Sequence, residues 1–133
     1  MKKHYQGAAH IAVRTADLKT SIAFYEKIGG EVIAEDLLET ADGPQPMALV
    51  SFAGYVLELI RPAIVPELSD GCIPHFAVYV DDVDEAAKDL EELGIHTFMT
   101  PEKKVLPTLF GGLENRFFRG PSGEQIELLK MYK

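Results

Sequence analysis

Cysteine is nearly absent: Cys72 is the only one in 133 residues. That excludes an intramolecular disulfide and a cysteine-based zinc site. Positive charge is scarce too, with 13 Lys and Arg against 21 Asp and Glu and a net charge of −8. General nucleic-acid binding needs a basic surface to displace counterions, so that class is excluded. A small anionic ligand is not excluded, because it responds to local rather than total charge. No apolar run approaches the length of a signal-peptide core or a membrane span, and the expectation is a cytoplasmic protein with no membrane partner. Nucleophile elbow, phosphate loop and dinucleotide fingerprint are also missing, which leaves hydrolase, kinase and dehydrogenase chemistry without support.

What is present is a repeat. Ala9-His10-Ile11-Ala12-Val13 returns as Pro74-His75-Phe76-Ala77-Val78, an offset of 65 residues from His10 to His75. Asp17 and Asp82, Glu26 and Glu91, and Gly29 and Gly94 coincide at the same offset. A second echo sets Gly54-Tyr55-Val56-Leu57-Glu58-Leu59-Ile60 against Gly123-Glu124-Gln125-Ile126-Glu127-Leu128-Leu129, now 69 residues apart. A repeat of this length sets the architecture before any single motif is weighed.

Each half has the same order of local signals. Residues 8–14 alternate as a strand, with His10 on the face of Ala8, Ala12 and Arg14 and with Ile11 and Val13 opposite. Asp17 is an N-cap, and Leu18, Ile22, Tyr25 and Ile28 recur at helical spacing until Gly29-Gly30 ends the helix. Strands are expected at 31–38, 47–52 and 55–61, with Ala41-Asp42-Gly43-Pro44 marking a turn. Residues 63–72 form a linker. The second half predicts a strand at 73–80, a helix capped by Asp82 and ended by Gly94, and strands at 95–99, 115–119 and 124–131. Residues 101–112 are expected to be a long loop carrying Lys103 and Lys104, either a lid or a plain excursion. The fold class is α+β: two tandem βαβββ modules, 8–62 and 73–132, within a single domain spanning 1–133.

Period-two alternation puts Glu58 with Val56 and Ile60, and Glu127 with Gln125 and Leu129, while the neighbouring leucines and isoleucine point the other way. Both histidines share their strand face with small alanines. The expectation is that His10, Glu58, His75 and Glu127 converge on the open side of the sheets, away from the helices. Two imidazoles and two carboxylates suit one divalent ion per chain, zinc or nickel first, with cobalt, manganese and iron as alternatives. Taken singly, each of the four reads equally well as a core or solvent-facing strand residue; their equivalence across the repeat joins them. Arg116 and Arg119 alternate with Phe117 and Phe118 and are read as edging the sheet rather than lining a pocket.

The motifs His10-Ile-Ala-Val with Asp17-Leu and Phe24-Tyr25, Val56-Leu-Glu58-Leu, His75-Phe-Ala-Val with Asp82-Val, and Gly120-Pro-Ser-Gly123 with Ile126-Glu127-Leu128 resemble the vicinal oxygen chelate superfamily, which includes glyoxalase I, bleomycin-resistance proteins and ring-cleaving dioxygenases. The resemblance implies paired βαβββ modules forming a metal-holding cup of mixed β-sheet with helices outside, in a homodimer. The order His10, Glu58, His75, Glu127 is most similar to small bacterial glyoxalase I (lactoylglutathione lyase) proteins. It implies a lyase or isomerase that moves a proton through a metal-held enediolate, as in conversion of the methylglyoxal–glutathione hemithioacetal. Glu127 would be the base, with Glu58 as the symmetry-related candidate. Arg14, Arg61, Lys103 and Lys104 would bind the substrate, a glutathione or CoA thioester or hemithioacetal. After Glu58 the chain reads Leu59-Ile60-Arg61-Pro62, where glyoxalase I commonly carries polar residues that bind glutathione. The alternatives are a methylmalonyl-CoA epimerase-like isomerase, an iron-dependent extradiol-type dioxygenase using only His10, His75 and Glu127, and a non-catalytic resistance-type binding protein.

Overall fold

An aspartate starts each helix by satisfying a backbone N–H that the first turn leaves unpaired. Asp17 accepts from Thr20 N at 3.1 Å and begins α1 (Leu18–Lys27); Asp82 accepts from Glu85 N at 3.0 Å and begins α2 (Val83–Glu92). Glycine ends each one: Gly29 and Gly94 lie at φ 109° and 88°, in the left-handed region that side chains disfavour. The computed structural model describes all residues, Met1–Lys133, and the chain divides into two compact units, Met1–Pro66 and Glu67–Lys133.

The first unit holds β1 (Ile11–Arg14), α1, β2 (Glu31–Thr40), β3 (Gly43–Phe52) and β4 (Tyr55–Ile60), with strand order β1-β4-β3-β2. β1 and β4 are parallel neighbours; the remaining pairs are antiparallel. The hairpin joining β2 to β3 is tighter than the turn signal suggested. Thr40 pairs with Gly43, so Pro44 and Pro46 lie inside β3. Pro46 turns its backbone away from β2 and accepts from Arg61 N at 3.0 Å, so its missing N–H breaks no β2–β3 bond. One face of the sheet packs on α1. Val13, Ala48, Val50, Phe52, Leu57 and Leu59 are buried there with Tyr25. Complete burial of Leu57 and of Leu59 contributes about 1.5–3 kcal/mol each.

The second unit repeats the plan with β5 (His75–Tyr79), α2, β6 (Lys104–Leu106), β7 (Leu113–Arg119) and β8 (Gln125–Met131), in the order β5-β8-β7-β6. Phe76, Phe118, Ile126 and Leu128 pack with Val83 and Ala87 of α2. The class is α+β: two four-stranded mixed sheets, each carrying one helix.

The expected strand at 95–99 and the expected loop at 101–112 both need correction. Residues 95–99 form no strand. They reach β7 through one bridge, Phe98 to Phe118, and through the bonds Met99 N to Phe117 O and Arg119 N to Thr97 O. The strand is displaced into the presumed loop as β6, which pairs with residues 113–115 of β7. The edge of this sheet is therefore one strand broken in two. Arg116 holds the break by donating to the carbonyls of Thr100 and Pro101, with its guanidinium 4.1 Å above the Phe98 ring. Beyond β6 the chain makes a single 3-10 turn, Leu109–Gly111.

Candidate functional site

Each histidine lies two residues before an alanine that faces its glutamate. In the first unit Ala12 stands opposite Glu58 across the β1–β4 pair; the strand expected over 8–14 begins only at Ile11, and His10 comes one residue before it. In the second, Ala77 stands opposite Glu127 across β5–β8, with His75 two residues before it. The methyl groups of Ala12 and Ala77 leave room for the diagonal pair to meet. His10 Nε2 lies 3.4 Å from Glu58 Oε2, and His75 Nε2 lies 3.2 Å from Glu127 Oε1.

Those separations carry chemical information. A charge-assisted hydrogen bond would be shorter, about 2.7–2.9 Å. Two donors bound to one ion at about 2.0–2.2 Å lie roughly 2.8–3.1 Å apart at octahedral angles and roughly 3.3–3.6 Å apart at tetrahedral ones. Each pair thus has the spacing of two neighbouring ligands of a divalent metal, and its imidazole and carboxylate donors suit Zn, Ni, Co, Mn or Fe. The structure brings each histidine to one glutamate and gathers no group of three His, Cys, Asp or Glu side chains that could hold a metal ion.

The two pairs differ in their surroundings. Glu127 is buried, 8% exposed, and its Oε2 accepts from Asn115 Nδ2 at 2.8 Å. Phe117, directly opposite Glu127 on β7, sets its ring at right angles to the His75 imidazole with centroids 5.0 Å apart. In the first unit the residue opposite Glu58 is Leu49, and Glu58 keeps 20% of its side chain exposed against 11% for Glu127. Asn115 and Phe117 are not among the residues that the sequence motifs single out. The available signal was their alternation along β7, which puts both on the face of Glu127.

The expected substrate-binding cations are distributed differently. Arg14 is exposed at the end of β1. Arg61 turns its Nη1 back to the carbonyls of Pro62 and Ala63. Lys104 is an exposed residue of β6. Lys103 is engaged on the helix side of its sheet, 3.1 Å from both Glu114 and Asp84. Its ammonium is held above the usual lysine range, first by the hydrogen bond to Glu114 and then by the one to Asp84. Lys103 ties the broken edge strand to the first turn of α2. Tyr132 joins this cluster by donating to Glu114 at 3.1 Å, and its hydroxyl pKa is raised by burial and then by that carboxylate. Arg119 is taken by Asp70 at 2.9 Å. A shallow cavity of about 350 Å³ lies between Glu91, His96, Phe98 and Arg116, and neither His75 nor Glu127 lines it.

Residues 7–128 match the model of the Glyoxalase/Bleomycin resistance protein/Dioxygenase superfamily. The lactoylglutathione lyase of Salmonella typhimurium is 29% identical over 129 residues, covering 91% of this chain and 90% of that protein. An uncharacterised protein of Bacillus subtilis is 26% identical over 124 residues, covering 91% and 94%. Among solved structures, a glyoxalase family protein from Enterococcus faecalis superposes with a TM-score of 0.75 at 24% identity, over 94% of this chain and 98% of that one. The fosfomycin resistance protein FosX of Listeria monocytogenes, in complex with Mn(II) and sulfate, superposes at 0.66 with 20% identity, over 96% and 93%. No helix is long and apolar enough to cross a membrane.

Proposed function

Because the chain belongs to the glyoxalase/bleomycin resistance protein/dioxygenase superfamily, we propose that its two His–Glu pairs supply the ligands of one divalent ion and that it catalyses a glyoxalase I-type proton transfer beside a carbonyl. The observation that carries this reading is the duplicated pair, His10–Glu58 at 3.4 Å and His75–Glu127 at 3.2 Å, each histidine two residues before the alanine that faces its glutamate. A three-ligand dioxygenase would have no need of Glu58 against His10. The lactoylglutathione lyase relatives support the same choice over an epimerase or a binding protein.

When bound, the ion would supply Lewis-acid stabilisation of negative charge on substrate oxygen. The chain's own residues do the rest. His10 and His75 present Nε2 as neutral ligands, and the two carboxylates offset the ionic charge. Glu127 removes a proton from the carbon beside the carbonyl and returns it to the adjacent carbon; Glu58 is the second candidate for that step. Arg14, at the end of β1, is the cation proposed for an anionic tail such as glutathione, with Arg61 and Lys104 as further candidates. A cytoplasmic homodimer acting on a glutathione- or CoA-bearing small molecule belongs to the same proposal.

The test is elemental analysis of gently purified protein beside a Glu58→Ala variant, followed by assay with the methylglyoxal–glutathione hemithioacetal. About one Zn, Ni, Co or Mn per chain, weakened in the variant, with thioester product formed, is the expected result. Iron retained after the Glu58 change, with oxygen uptake on a catechol, would replace this reading by the dioxygenase. Absence of metal after incubation with divalent ions would replace it by a binding protein.

A further inference from the structure

The internal repeat loses its symmetry immediately behind the two glutamates. Asn115 pairs across the ladder with Leu129, two residues past Glu127 on β8; Met47 pairs with Ile60, two residues past Glu58 on β4. The two positions correspond, yet one carries a carboxamide and the other a thioether. Asn115 is buried, 8% exposed, and donates through Nδ2 to Glu127 Oε2 at 2.8 Å. The other carboxylate oxygen, Oε1, is the one 3.2 Å from His75. The two oxygens are therefore divided, one held by the amide and one presented beside the imidazole.

This arrangement has a cost within the fold. An ionised carboxylate only accepts hydrogen bonds, so the amide must turn its nitrogen toward Glu127. Its Oδ1 is then left buried with no partner. A buried acceptor without a donor is destabilising; an apolar side chain would relieve that penalty but leave Glu127 Oε2 without its donor. Met47 shows that the βαβββ plan accepts such a residue at this place. A carboxamide whose side-chain bond goes to a candidate ligand points to a role at that ligand.

We infer that Asn115 is a positioning residue: by holding Glu127 Oε2 it fixes the orientation in which Oε1 meets the metal and the substrate. The inference rests on the metal reading above. A hydrogen-bonding partner behind a ligand typically changes metal affinity or activity by about 10–100-fold.

The experiment compares wild type, Asn115→Leu, Asn115→Gln and the symmetry control Met47→Leu. Zinc affinity is read by competition with a chromophoric chelator, and the metal-free thermal midpoint is measured in parallel. Asn115→Leu is expected to bind zinc about 10–100-fold more weakly, with a somewhat lower metal-free midpoint because Glu127 Oε2 loses its donor. Asn115→Gln, which keeps a donor, recovers part of the affinity, and Met47→Leu leaves it unchanged. Wild-type affinity in Asn115→Leu would overturn the inference alone. Weaker binding by Asn115→Leu only at temperatures where its metal-free form is already unfolded would overturn it as well, in favour of a structural role. A wild-type protein that binds no divalent ion would sink the metal reading and this inference together.

Discussion

Ala77 stands directly opposite Glu127 across the parallel β5–β8 pair, and its methyl group is the space through which His75 reaches the carboxylate. A larger side chain there would occupy the diagonal between them. Ala77→Leu, and Ala12→Leu in the first unit, should keep the fold and weaken zinc binding by about tenfold or more, an outer-shell effect of ordinary size. Chelator competition on the purified variants checks this, and unchanged affinity in both would mean that neither pair holds the metal.

Metal should stabilise the folded chain by mass action. Zinc at about 100 times its dissociation constant adds roughly 2.7 kcal/mol to unfolding, provided the unfolded chain does not compete for it. Thermal melting with and without zinc should therefore show a clear upward shift in wild type. The shift should shrink in His10→Ala and in His75→Ala alike. A loss confined to one of the two would show that the pairs do not act together.

The helix caps carry a pH dependence whose sign follows from their hydrogen bonds. Asp82 is held below 3.8, chiefly by the bond from Glu85 N, and Asp17 likewise by the bond from Thr20 N. A folded-state pKa below the unfolded one gives stability that is present above about pH 4 and is lost as pH falls through the folded value. Asp82→Ala should lower the thermal midpoint at pH 7 and make little difference near pH 2. An equal loss at both pH values would assign the effect to something other than the ionised cap.

Lys103 separates a structural from a substrate-binding role. Its raised pKa means that its contribution is complete below about 10.5 and is lost as pH rises through the higher folded value. Lys103→Met leaves the buried Glu114 without its cation. The expected result is a lower midpoint at pH 7, a smaller deficit at strongly alkaline pH, and an unchanged KM for the hemithioacetal. A raised KM with an unchanged midpoint would return Lys103 to the substrate.

Alternation along single strands made the candidate site legible. Glu58, His75 and Glu127 each fall on the strand face away from their helix because successive side chains point to opposite sides, while His10 lies one residue ahead of β1. The caps Asp17 and Asp82 and the stops at Gly29 and Gly94 were equally visible, since a helix terminus is decided within a few residues. The edge of the second sheet was not. Residues 95–99 are apolar enough to read as a strand, but Pro101 lacks an N–H and the chain breaks there, resuming the ladder only at Lys104. Nothing local announces that Arg116 will close the gap from the next strand.

By itself the sequence determined the βαβββ repeat, the helix limits and the face on which Glu58, His75 and Glu127 project, because these follow from period, capping and turn chemistry over short spans. Only the tertiary structure decided that Asn115 backs Glu127 while Met47 takes the matching place, that Phe117 packs against His75, and that Lys103 belongs to Asp84 and Glu114. Those contacts join residues on different strands and helices, and their partners are chosen by inter-strand register and helix packing, which no single stretch of chain contains.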